Sequence, residues 1–151
     1  MAAGNDLVEI LRGQANQHPD KLLYAFYDRG GKLLEAVTRE EFERQTNHLA
    51  QYLWQVDGIA AARPVLLAFN PGLAMIRNFF ACIKIGAIPV PVAPVTPSGG
   101  MTGFARLVGI AADSGSRTVL FDAEQDRIFG QIMKAGLAEN AEATKAAASL
   151  N

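Results

Sequence analysis

The chain has 151 residues, of which 50% are hydrophobic and 19% charged, with a formal net charge of −1. That length and composition fit one globular domain with its own core, and exclude a disordered tail or a pair of large domains. The 14 Lys and Arg are scattered, so no basic stripe drives binding to nucleic acid or to anionic lipid.

In chain order, Asp6 can cap a first helix with Leu7, Ile10 and Leu11 on one face. His18-Pro19-Asp20 ends it, because proline disfavours helical geometry in the residue before it. Leu22 to Asp28 is rich in aromatic and aliphatic residues and reads as a strand. Arg29 to Lys32 turns, and Leu33 to Val37 returns as the second arm of a hairpin. Thr38-Arg39-Glu40-Glu41 has the form of a capping box, in which Thr38 accepts from the Glu41 N–H and the Glu41 side chain reaches back. The helix that follows runs to about Val56. Phe42, Thr46, Leu49, Ala50 and Leu53 form its buried stripe, and Asp57-Gly58 stops it.

Pro64 to Phe69 is a short unbroken apolar run, the pattern of a strand buried on both faces. Asn70-Pro71-Gly72 turns the chain into a helix with Ile76, Phe79, Phe80 and Ile83 on one side, closed by Gly86. Ala87 to Val92 is the next strand. Pro89 and Pro91 remove donors from the same edge, so that edge belongs at a sheet margin. Ala93 to Gly103 reads as a Pro/Gly/Ser/Thr loop, followed by a helix with Phe104, Leu107, Val108 and Ala111 inward. Thr118 to Phe121 is a strand and Glu124 to Leu137 a helix. The rest, 138–151, is an alanine-rich tail with little to bury. The β-α-β-α-β-α order from Pro64 predicts an α/β, Rossmann-like parallel sheet flanked by helices, preceded by an N-terminal helix and a β-hairpin, with right-handed crossovers.

Candidate chemistry is sparse. Cys82, the single cysteine, sits in an apolar segment and reads as a buried hydrophobe; no disulfide is possible within the chain. His18 and His48 have no third ligand at metal-binding spacing. Glu40, Glu41 and Glu43 fall at the start of a helix, where the dipole favours acids, and read as a solvated face. Asp113 and Asp122 punctuate element ends, and Phe79 and Phe80 read as core. Ser98 to Phe104, SGGMTGF, precedes a helix but fails the P-loop spacing, and reads as a plain connection; anion binding is its alternative. The N-terminus has no charged n-region and long apolar core, and no apolar run approaches the ~20 residues that span a bilayer. A cytoplasmic protein is expected.

Several landmarks resemble the adenylate-forming (AMP-binding) enzymes, and most of all the fatty acyl-AMP ligases. QHPDKLLYAF is similar to the family's opening segment, and AVTREEFERQTNHLAQYL to its first core motif, with Arg39 where an aromatic residue is usual. Ile83 to Val92, IKIGAIPVPV, is similar to the second core motif. APVTP and FARLVGIAADSGSRTVLFD look more like the fatty acyl-AMP ligases than like amino-acid adenylation domains. The resemblance implies an incomplete N-terminal subdomain, residues 1–137, of an enzyme that uses ATP and Mg to turn a fatty acid into an acyl adenylate. Such ligases pass the acyl group to an acyl carrier protein; an acyl-CoA synthetase is the near alternative. The family's phosphate loop, Mg-binding acid, ribose-binding Asp and catalytic Lys fall in later segments. No catalytic, cofactor-binding or metal residue is therefore carried over, and no cofactor is expected for this chain alone. A non-catalytic interaction module, or self-association through unpaired faces, is the rival expectation.

Overall fold

A computed structural model describes residues 6–55 and 58–148. Helix α1 (Leu7–Gln17) leads into a hairpin of β1 (Leu22–Tyr27) and β2 (Leu33–Thr38), and then α2 (Arg39–Gln55). After it come β3 (Pro64–Ala68), α3 (Leu73–Lys84), β4 (Ile88–Pro91), α4 (Gly100–Ser114), β5 (Thr118–Phe121) and α5 (Ala123–Ala148). The stop expected at Asp57 lies outside the described residues, and the backbone of α5 remains helical beyond Leu137 into the alanine-rich stretch.

The parallel sheet has the order β4-β3-β5, with β3 paired to a neighbour on each side. Its residues alternate between two cores, as the two-residue period of a strand requires. Val65, Leu67 and Phe69 join Ala50, Leu53, Ala81 and Cys82 from α2 and α3. Leu66 and Ala68 join Leu107 of α4 and Ile128 and Ile132 of α5. A strand flanked and covered on every side needs an apolar residue at each position, and Pro64–Phe69 supplies that run.

β4 forms one margin of the sheet, as the alternating prolines predict. The N–H groups of Ile88 and Val92 donate inward, to the Arg63 and Leu67 carbonyls at 2.9 and 3.1 Å. Pro89 and Pro91 therefore face outward, where a missing donor costs nothing and blunts the edge. Gly86, which joins α3 to β4, has φ of 74°, and a Cβ there would meet the Ala61 Cβ at 3.2 Å. The turn therefore requires glycine.

The N-terminal layer is held by a third core of Leu11, Val37, Phe42, Leu73 and Phe80. Phe42 is fully buried and meets Tyr24 and Phe80 edge-on, with ring centroids 5.2 and 5.4 Å apart. It thus ties the hairpin, α2 and α3 together. Asp6 caps α1 as expected, its carboxylate accepting from Glu9 N–H at 2.7 Å. The hairpin loop closes on Asp28, whose carboxylate accepts from the N–H groups of Gly30 and Lys32, both at 2.8 Å.

Four sequence expectations need correction. Leu7 and Ile10 do not join Leu11 in the core; they stay 47% and 48% exposed, because α1 meets the domain along a narrow seam. Only half of the capping box forms. Glu41 N–H donates to Thr38 Oγ1 at 3.3 Å, but the Glu41 carboxylate accepts from Arg44 and Gln45 instead. α4 begins at Gly100 rather than Phe104. A 3₁₀ turn at Pro97–Gly99 starts it, capped by Thr96 Oγ1 accepting from Gly99 N–H at 3.1 Å. Val108 points outward and Ile110 packs on the α4 core in its place, because the helix face centres on Leu107.

Replacing Phe42 by Ala removes the ring that joins three elements, and a loss of about 3–5 kcal/mol is expected in urea unfolding. A loss below about 1 kcal/mol would show that this layer is not part of the cooperative core.

Candidate functional site

In open α/β sheets the functional crevice lies beyond the carboxyl ends of the strands, where the strand order reverses. Here β3 leads to β4 on one side, and the next connection crosses back to β5 on the other. The reversal falls between β3 and β5. Asn70 follows β3 at that point, and Asp122 follows β5.

These two residues meet at the reversal. Asp122 Oδ1 accepts from Gln125 N–H at 2.8 Å and so caps α5, while Oδ2 accepts from Asn70 N–H at 3.4 Å. The Asn70 side-chain amide donates to Glu124 Oε2 at 3.0 Å. Asp122 thus ends its strand, as the sequence suggests, and also bridges to β3, which sequence alone does not reveal. No sequence pattern marks Gln125. It is 1% exposed; its Oε1 accepts from Val95 N–H at 3.0 Å and its Nε2 donates to the Val95 carbonyl at 3.1 Å. The side-chain amide pairs with backbone as a strand would, and pins the β4–α4 loop to α5.

Beside that loop lies a cleft of about 520 Å³ lined by Thr96, Thr102 and Arg106, among others. SGGMTGF contributes to it, but as the first turns of α4 rather than as a phosphate cradle. The Gly99 and Gly100 N–H groups already donate to Thr96, and Arg106 Nη2 donates to the Ala93 carbonyl at 3.3 Å. Asp122 and Glu124 place carboxylates at the reversal, both engaged by Asn70. No group of three or more His, Cys, Asp and Glu among the described residues is placed to hold a metal ion.

The other candidates are dispersed. His18 and His48 are exposed on separate elements. Asp113 is exposed near the end of α4. Phe79 and Phe80 pack edge-on in the core, 5.9 Å apart. Cys82 is buried, and burial pushes its thiol up to about 11, so at neutral pH it is a protonated, poor nucleophile.

Of the acidic trio, Glu40 is exposed. Glu41 takes the Arg44 hydrogen bond, which lowers its pKa, helped by Gln45. Glu43 departs from the expected solvated face. It is buried, and its Oε2 accepts from Lys84 Nζ at 2.7 Å. The Lys84 side chain is 5% exposed and also donates to Asn47 Oδ1 at 2.7 Å. Burial holds the Lys84 pKa below the ordinary lysine value, against the raising effect of Glu43. The pair is a clip between α2 and α3.

A family model described as "AMP-binding enzyme" matches residues 11–149. Disco-interacting protein 2 of Drosophila melanogaster is 30% identical over 88 residues, 58% of this chain and 5% of that protein. Bacitracin synthase 3 of Bacillus licheniformis is 30% identical over 86 residues, 57% of this chain and 1% of that protein. Among solved structures, a fatty acyl-adenylate ligase from Legionella pneumophila, in complex with acyl adenylate and pyrophosphate, is similar with a TM-score of 0.72 and 29% identity. That likeness covers 82% of this chain and 21% of the ligase. The N-terminal subdomain of Klebsiella oxytoca NpsA shares the fold, with a TM-score of 0.62 over 77% of this chain. The chain therefore spans only a small part of the length of these relatives.

Removing one partner of the α2–α3 clip leaves the other charge buried but not alone, since Arg12 lies 3.8 Å from Glu43 and Asn47 accepts from Lys84, so Lys84→Met or Glu43→Gln is expected to cost about 1–3 kcal/mol in denaturant unfolding. The paired change Glu43→Leu with Lys84→Met should recover most of that loss. Additive losses in the double variant would contradict a buried pair.

Proposed function

Because the chain belongs to the AMP-binding enzyme family, we propose that it is the N-terminal part of an adenylate-forming ligase whose acid substrate is a fatty acid. The observation that carries this reading is the likeness to the Legionella pneumophila fatty acyl-adenylate ligase, at 29% identity over most of this chain. In the proposed reaction a carboxylate oxygen of the acid attacks the α-phosphorus of ATP. The bond to the β-phosphate breaks, and pyrophosphate leaves with its electron pair. The acyl carbon then accepts the thiol sulfur of a carrier-protein phosphopantetheine, and AMP departs.

This segment's share of that work is positioning. β3 and β5 set the floor of the crevice, Asp122 and Gln125 fix the loops around it, and the buried cores make that edge rigid enough to hold a substrate assembled from other segments.

One observation favours a second reading, a non-catalytic interaction module. Leu22, Tyr27, Leu33 and Leu34, all on the β1–β2 hairpin, are exposed, and a group of exposed apolar side chains on one element marks a contact surface. The two readings differ in what an ATP–pyrophosphate exchange assay returns for the full polypeptide that carries this segment. The ligase reading expects exchange that depends on long-chain fatty acids and not on amino acids. It also expects none from residues 1–151 alone. Exchange with amino acids only would remove the fatty-acid assignment, and no exchange with any acid would favour the interaction module.

A further inference from the structure

The first turn of α5 reaches the carboxyl end of every strand in the parallel sheet. Asp122 closes β5, and its Oδ1 accepts from Gln125 N–H. Its Oδ2 accepts from the N–H of Asn70, just beyond β3, and the Asn70 side chain donates to Glu124 Oε2. Gln125 reaches the third exit. Its side-chain amide holds both the N–H and the carbonyl of Val95, in the loop that follows β4.

Of these contacts, the one made by Gln125 is the most demanding. Gln125 and Val95 are each 1% exposed. Loss of the amide would strip a buried N–H and a buried carbonyl of these partners, which is costly. Only a side chain that carries a donor and an acceptor side by side answers both. Val95 is also pressed from α4, where a Cβ at Gly103 would meet Val95 Cγ1 at 3.2 Å. The loop is thus held between α4 and α5.

We propose that the first turn of α5 couples the three strand exits into one unit, and that Gln125 is the positioning residue of that unit. A displaced Val95 pulls on the same turn that holds Asn70, so the loop after β4 and the β3–β5 reversal keep a fixed relation. The consequence for activity rests on the ligase reading: substrates assembled at this edge would meet a misplaced rim once the amide is lost. The coupling itself does not rest on it.

The test compares two substitutions by urea unfolding and amide NMR of this chain, each against wild type at the same pH. Gln125→Met removes both hydrogen bonds. Gln125→Glu keeps the shape, and the introduced carboxyl matches the amide's donor and acceptor only when it is protonated. Burial and the neighbouring Asp122 carboxylate raise its pKa. Arg106, which reaches the Ala93 carbonyl from α4, opposes them, while Glu124, Asp126 and Arg127 on α5 are exposed to solvent. With the folded pKa above the unfolded one, the Gln125→Glu defect shrinks as the pH falls from about 8 to about 5.5. At the higher pH both variants are expected to raise the unfolding constant by about tenfold to a hundredfold, and to shift the Val95 and Asn70 amides together. At the lower pH Gln125→Glu should return toward wild type in both readouts, and Gln125→Met should not. A shift at Val95 with Asn70 unmoved, or a Gln125→Glu defect that does not recover, would overturn the coupling. In the full polypeptide, Gln125→Met should raise the KM of ATP–pyrophosphate exchange for at least one substrate by about tenfold. A fall confined to kcat would report only fewer folded molecules and would overturn the positioning role. If the wild-type polypeptide exchanges with no acid, the ligase reading fails, and the NMR result on this chain still decides the coupling.

Discussion

Everything in this chain is arranged around β3. It pairs with β4 on one side and β5 on the other, and its alternate residues enter two separate cores. A five-residue strand buried this completely cannot tolerate a polar side chain or a slip in register, since a shift of one residue would exchange every contact between the cores. It also aims the chain at Asn70, and so decides where the crevice opens.

The second constraint is the link between the N-terminal layer and the sheet. α3 serves both. Its Phe80 completes the aromatic contact with Phe42, its Ala81 and Cys82 line the core above β3, and its Lys84 pairs with Glu43. The hairpin, α2 and the sheet are therefore one packed body rather than a domain with an appendage. The family match covers residues 11–149, and Asp122 and Gln125 act through hydrogen bonds to backbone.

Much of the fold was legible because its determinants are local. The unbroken run at Pro64–Phe69 announces a central strand, the alternating prolines announce an edge, and Asp6 and Thr38 mark helix starts. What escaped depends on distant partners or on shape. Glu43 looks like any acid in a first helical turn until Lys84 is folded against it. Gln125 has no pattern at all; its role exists only because Val95 arrives beside it. The start of α4 reads as loop from its Gly and Ser, while Thr96 and Pro97 supply a cap and a first turn. Leu7 and Ile10 follow helical periodicity faithfully, yet periodicity cannot say whether a partner exists for the face it defines. At the β3–β5 reversal the sequence marks only Asp122, and only as a strand end.

The measurement that tests this account most directly is native-state hydrogen exchange across the chain. The amides of Leu66 to Ala68 should be among the slowest to exchange, opening only with global unfolding. The α2 and α3 amides near Phe42 and Ala81 should share that limit. If the β3 amides instead exchange by a local opening while α1 or the hairpin stays protected, the sheet is not the centre on which the structure depends. The placement of the crevice by β3 would then be wrong.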